Sequence, residues 1–205
     1  MYVADPVAAR ARADRWATAS VATLPDVEPI PDTDPHPSAA RLISGFFHGG
    51  IAVSDMDASL RFYRDTLGLE VHFDVTLDAV AYVKAVMGID MTDARIVYLR
   101  IPGADGVYLE LLEYHGTDAR PTPEPRAWDP GTGHLCFHVT DAAAVHARAV
   151  AAGYRARSTG AVEIPVGPNM GGRAAYLIDP DGYHIELFQR PPQPAPPVVP
   201  TPGGS

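Results

Sequence analysis

Between residues 44 and 190 the chain alternates apolar and polar positions in short runs broken by glycine, and one such run is written twice. "HGGIAVSD", residues 48–55, returns as "HLCFHVTD", residues 134–141. Both begin with His, carry Ile51 or Phe137 fourth and Val53 or Val139 sixth, and end on a hydroxyl residue followed by Asp. The alternation predicts two strands, with Ser54 and Thr140 as the expected N-caps of the helices that follow. Helical spacing takes over at once: Leu60, Tyr63 and Leu67 share a face in the first copy, Val145, Ala149 and Ala152 in the second. Gly68 and Gly153 stand where left-handed C-caps are expected. Later, "GVYLEL" (106–111) matches "GYHIEL" (182–187), each preceded by a strand and a turn, "RIVYLRIPGADG" and "RAAYLIDPDG". The repeated unit is strand, helix and about three strands, so the predicted class is α+β with two βαβββ modules.

The same pattern sets the boundaries. The first module is expected over 44–118 and the second over 133–190, with a linker at 119–132. The first copy is longer by "DAVAYVKAVMGIDMT" around 78–92, read as an inserted short helix near the mouth of a site. Residues 1–43 read as an arm or linker with a short Ala/Arg-rich helix near 6–20, and the proline-rich 191–205 as a disordered tail. "GPNMGGR", 167–173, reads as a hairpin connection over the pocket; no helix with a Lys follows it, as a phosphate loop would require.

Strand pleating converts the repeat into chemistry. Side chains alternate faces, so His48, Gly50 and Ala52 share one, as do Tyr108, Glu110 and Leu112. His134, Cys136 and His138 share a face in the second copy, as do His184, Glu186 and Phe188. The polar places that recur are His48, Glu110, His134 and Glu186. Isolated ionised groups on the inner face of a sheet are costly unless paired or metal-bound. Two copies of one His and one Glu, related by a pseudo-twofold, are therefore expected to make a four-ligand cage of nitrogen and oxygen donors.

Composition narrows the class without choosing the reaction. With 205 residues, 46% hydrophobic and 20% charged, the chain is globular in composition. Its formal charge of −9, with no segregated basic patch, argues against nucleic acid or an anionic membrane as partner. One cysteine, Cys136, excludes an intrachain disulfide and reads as a small buried hydrophobe. No apolar run reaches membrane length and no secretory signal is evident, so a cytoplasmic location is expected.

The stretches "HGGIAVSDMDASLRFYRDTLGLEV", "YLELLEY", "TGHLCFHVTD" and "GGRAAYLIDPDGYHIELFQ" resemble the vicinal oxygen chelate superfamily, which joins glyoxalases, bleomycin resistance proteins and extradiol dioxygenases. The resemblance covers about 44–190, and "DPDGxxIEL" (179–187) is its most specific part. It implies curved sheets around a divalent metal (Ni, Zn, Co, Mn or Fe(II)) held by His48, Glu110, His134 and Glu186. It also implies a homodimer, since the superfamily commonly pairs its modules across two chains. The expected activity is that of a lyase, isomerase or epimerase acting on a small carbonyl compound through an enolate or enediolate. Glu186 is the first candidate for the base and Glu110 the second; His138, His184, Arg100, Tyr108 and Arg173 are candidates for the substrate pocket.

Bacterial glyoxalase I is similar in all four ligands, but its Arg and Asn that grip glutathione correspond here to Ala52 and Tyr114. Methylmalonyl-CoA epimerase has a Gln at the place of Glu110 and an additional Glu base, for which "ARIVYLR" offers no acid. The alternatives are an Fe(II) extradiol-type dioxygenase using His48, His134 and Glu186, and a metal-free drug-binding protein of the same fold.

Overall fold

The computed structural model describes residues 45–78, 80–118 and 126–192, and every element below lies in the compact unit Phe46–Ser205. The arm, its short helix, the first half of the linker and nearly all of the proline-rich tail lie outside the described residues. Strand β1 (His48–Ala52) leads into helix α1 (Met56–Leu60), which widens into a π-helical stretch, Arg61–Thr66. Then come β2 (Glu70–Leu77), α2 (Val80–Met87), β3 (Asp93–Arg100) and β4 (Tyr108–His115). After them follow β5 (His134–His138), α3 (Ala142–Ala151), the two-residue strands β6 (Arg155–Ala156) and β7 (Val162–Glu163), β8 (Arg173–Ile178) and β9 (His184–Gln189).

Two sheets result. The first has the order β1-β4-β3-β2, the second β5-β9-β8-β6 with β7 also paired to β8. In each, the opening strand runs parallel to the closing one: His48 lies opposite Tyr108, and His134 opposite His184. Such a pairing needs a helical crossover, which α1 and α3 supply. Segment 167–172 turns β7 back on β8 as a hairpin, closed by Gly171 N donating to Ile164 O at 2.9 Å.

The helices begin one residue later than the alternation predicts. Asp55 and Asp141, not Ser54 and Thr140, are the N-caps: their carboxylates accept from Ala58 N (2.8 Å) and Ala144 N (3.0 Å). With two eligible caps side by side, the carboxylate adds its charge at the positive end of the helix. Gly68 and Gly153 take φ of 84° and 90° just past the helices, conformations that a Cβ would oppose. In the π-helical stretch Leu67 N donates to Phe62 O at 3.0 Å, and this wider turn lets the consecutive residues Phe62 and Tyr63 both point inward, each fully buried. On α3 the buried stripe is Ala142, His146 and Ala149, with His146 Nε2 satisfied by Ser158 O at 3.0 Å; Val145 is half-buried and Ala152 exposed.

The core faces of both sheets meet in one apolar cluster. Val97, Leu99, Leu109 and Leu111 from the first join Ala175, Leu177, Ile185 and Leu187 from the second, around Phe62, Tyr63, Ala142 and Ala149. Tyr63 Oη donates to Asp179 Oδ2 at 2.8 Å, and Ser54 N donates to Asp181 Oδ2 at 3.1 Å. The "DPDG" turn of the second module is thus bonded to the first. Asp179 also accepts from the backbone N–H groups of Asp181 and Tyr183 at 3.0 and 2.7 Å. Burial raises its carboxyl above the ordinary range in spite of these donors. Among the described residues no helix is long and apolar enough to cross a membrane.

Candidate metal centre

The polar chemistry lies on the sheet faces turned away from this core. In the first module Gly50 pairs with Glu110, and His48, two residues before Gly50, shares its face; His48 Nε2 lies 3.1 Å from Glu110 Oε2. A side chain at position 50 would crowd that carboxylate, since a Cβ built there comes within 3.3 Å of Glu110 Oε2. On the antiparallel neighbour β3, Tyr98 pairs with Glu110 and hydrogen-bonds to its carboxylate. Burial and that carboxylate push the Tyr98 hydroxyl up to about 12, so it is a donor throughout the physiological range.

The second module repeats the His–Glu–Tyr set. His134 Nε2 lies 3.2 Å from Glu186 Oε2, and Tyr176, paired with Glu186, donates to the same Oε2 at 3.0 Å. Its hydroxyl is likewise pushed up to about 12 by burial and by Glu186. The His–Tyr ring separations agree as well, 5.6 Å for His48–Tyr98 and 5.7 Å for His134–Tyr176. Tyr98 and Tyr176 escape a search for recurring metal-ligand types because phenols are not in that alphabet. The signal was present nonetheless, as Tyr occupies the same place in "RIVYLR" and "RAAYLI".

His48 and Glu110 meet, and so do His134 and Glu186, but the four do not gather within one chain. Among the described residues no group of three or more His, Cys, Asp or Glu side chains converges. The first strands of the modules approach each other through their other faces: a Cβ on Gly49 would lie 3.7 Å from Leu135 Cδ2. The four residues expected to form one cage thus stand as two His–Glu pairs on faces turned away from a shared core.

Each half fits a divalent ion. Metal–nitrogen and metal–oxygen bonds of about 2.1 Å at right angles leave neighbouring ligand atoms about 3 Å apart, close to the 3.1 and 3.2 Å found in the two pairs. Mixed imidazole and carboxylate donors suit Zn, Ni, Co, Mn or Fe(II).

Of the remaining candidates all but Arg173 have the strand parity of these faces. Tyr108 is half-buried and stacks on His72 at 4.8 Å, while Arg100 reaches His72 Nδ1 at 3.0 Å. His138 is exposed, 3.1 Å from Arg190 Nη2. His184 is fully buried and takes a hydrogen bond from Arg157 Nε at 2.7 Å. Arg173 is exposed at the start of β8. Cys136 corrects the expectation of burial: it is exposed, because β5 turns it to the carboxylate-bearing face opposite Glu186. Partial desolvation and Glu186 push its thiol up to about 11, which keeps it protonated and a poor nucleophile. Helix α2 packs Val83 against Ala94 and Met91 beside the first half-site, and Tyr114 Oη donates to Met87 Sδ at 3.4 Å.

Comparison with known proteins identifies the family and the fold. Residues 45–187 match the model of the glyoxalase/bleomycin resistance protein/dioxygenase superfamily. A 2-epi-5-epi-valiolone epimerase from an Actinomyces species is 34% identical over 149 residues, 70% of this chain and 78% of its own length. A lactoylglutathione lyase from Pseudomonas putida is 31% identical over 184 residues, 82% of this chain and 94% of its own. Among solved structures, a glyoxalase family protein from Bacillus cereus superposes with a TM-score of 0.61 at 14% identity, covering 73% of this chain and 96% of that one, a likeness of fold alone.

Proposed function

Because the chain belongs to the glyoxalase/bleomycin resistance protein/dioxygenase superfamily, we propose that it is a divalent-metal-dependent lyase, isomerase or epimerase. Its substrate is a small carbonyl compound, and its reaction moves a proton at the carbon beside the carbonyl. The observation that carries this reading is the His–Glu–Tyr constellation written twice in register. Relatives named as an epimerase and a lactoylglutathione lyase support the class. Ala52 and Tyr114, at the places where bacterial glyoxalase I grips glutathione, favour a substrate other than a glutathione adduct.

His48, Glu110, His134 and Glu186 would hold the ion, which supplies fixed positive charge beside two neighbouring substrate oxygens and so favours the enolate. Glu186 is the base. Its carboxylate takes the proton as the C–H electron pair moves into the enolate, then returns a proton to carbon as the carbonyl re-forms. The choice rests on environment: the Glu186 side chain is 19% exposed against 11% for Glu110, so it has more freedom to leave its ligand position. Tyr176 stays protonated and keeps the returning carboxylate aimed.

A homodimer completes the site in this reading, the first half of one chain facing the second half of its partner. Subunit mixing tests it. Neither His48→Ala nor His134→Ala protein should retain an ion, whereas an equimolar refolded mixture should regain about one ion per four chains, because half of the dimers are then mixed and in each of these one interface carries both defects and the other none. The chemistry is tested by elemental analysis of anaerobically purified protein beside His48→Ala and Glu110→Ala. Near-stoichiometric Ni, Zn, Co or Mn lost in both variants is expected, with solvent deuterium entering a substrate carbon next to a carbonyl. Iron that survives Glu110→Ala would turn the assignment to an oxygen-using dioxygenase, and absence of any metal after reconstitution would leave a binding protein.

A further inference from the structure

The two half-sites have unlike surroundings, and the difference bears on the substrate. Around His48 the first module assembles a wall of rings: Phe47 lies 5.0 Å from His48, 5.9 Å from Tyr98 and 5.8 Å from Tyr108, and Phe73 lies 6.1 Å from Tyr98. Most of these contacts are edge-to-face, the arrangement aromatic quadrupoles favour, so the rings support one another as a surface. The outer two are open to solvent, Phe47 at 58% and Phe73 at 49% exposure. Open phenylalanine rings beside a buried carboxylate are costly unless something apolar covers them, and binding sites pair such apolar walls with a few polar groups. The second module does not reproduce the wall. Where Phe73 pairs with Tyr98 in the first sheet, Arg157 lies alongside Tyr176 in the second, its N–H bonded to Tyr176 O at 2.9 Å.

We infer that the substrate carries a ring with an apolar face, aromatic or saturated, that lies over Phe47, Phe73, Tyr98 and Tyr108 while its two neighbouring oxygens reach the His–Glu pairs. The wall is continuous with the chemistry, since Tyr98 both contacts Phe47 and bonds to Glu110. A flexible peptide conjugate would leave these rings wet, whereas a ring with an apolar face covers them. The inference deepens the proposed function and rests on its metal site.

Hydroxamates test it, because each presents the same two chelating oxygens and differs only in what is attached. Binding of acetohydroxamate, hexanohydroxamate, benzohydroxamate and cyclohexanecarbohydroxamate to the nickel-loaded protein would be measured by calorimetry, with Phe47→Ala and Phe73→Ala alongside. Metal content and melting temperature would be checked in each variant. At least one ring compound should bind about tenfold more tightly than either acyclic one, and that preference should disappear in Phe47→Ala and Phe73→Ala while acetohydroxamate binding stays unchanged. The better of the two ring compounds then tells a planar ring from a saturated one. Equal affinity of ring and acyclic compounds overturns the ring, as does loss of dimer in the variants with the ring preference intact, since the wall would then be a subunit contact. Binding of none of the four overturns the metal site itself and the ring with it, a failure distinct from equal binding.

Discussion

The two modules keep one set of atoms and let the rest diverge. Histidine, glutamate and tyrosine occupy matching places in both, with His–Glu separations of 3.1 and 3.2 Å. Around this constant set the first sheet is built of long strands, β2, β3 and β4 having eight residues each, whereas the outer part of the second is reduced to the two-residue strands β6 and β7. The first half-site is deeper and aromatic, the second shallower and polar. The duplicated element is thus the pairing of strands that aims three side chains at one point, and the flanks are where the halves diverge in structure.

Replacing the carboxylates one at a time should break that equivalence most strongly. Glu186→Gln is expected to lower proton exchange by about 10²- to 10⁴-fold, the usual loss on removing a general base. Glu110→Gln should act chiefly through metal affinity, its exchange rate recovering at saturating metal; recovery of Glu186→Gln instead would reverse the two roles. Next in size is the bond between modules. Tyr63→Phe leaves Asp179 Oδ2 without its buried donor and should cost about 1–3 kcal/mol in urea unfolding. The sign with pH follows from the donor favouring the ionised carboxylate, so the deficit should be largest near neutrality and shrink as acid protonates Asp179.

Tyr98→Phe and Tyr176→Phe sharpen the comparison further. Each removes one donor from one carboxylate and should weaken metal binding by about tenfold, as outer partners of metal ligands do. Tyr176→Phe should in addition lower kcat, which Tyr98→Phe should not, and equal effects on kcat would remove the distinction between the halves. The smallest effect belongs to the end of the first sheet, where His115 Nδ1 lies 2.6 Å from Asp93 Oδ1. This bond raises the imidazole above its ordinary 6.5, so its contribution is present below that value and is lost as pH rises through the folded-state value. His115→Gln should therefore lower the melting temperature slightly at about pH 6 and not at about pH 8, a difference absent if the pair is idle.

Much of this was legible in one sequence because the repeat doubled each signal. His48 alone is an unremarkable strand residue; His48 and His134 in the same place of matching strands carry a geometry. The glycine caps were legible for the same reason, since their backbone requirement is local. The cap residues themselves were not, because Ser54 and Asp55 are both good caps and only three-dimensional partners choose between them. The face of Cys136 was legible from the pleat but its exposure was not, because whether that face is covered depends on elements distant in sequence, such as the strand fifty residues on that carries Glu186. Whether the pairs meet within a chain or across a dimer was not legible, because the pseudo-twofold allows both; here the side of β1 on which a Cβ at Gly49 would meet Leu135 is opposite to the one that bears His48.

The bond from Tyr63 to Asp179 also bears on how the chain comes undone. Its ends lie 116 residues apart and belong to different copies of the repeat, and the apolar cluster around it draws on both. Neither copy can melt without stripping the other's packing, so unfolding should proceed in one cooperative transition, with near- and far-ultraviolet signals lost together. Duplication alone would leave two autonomous folding units; here they are welded into one.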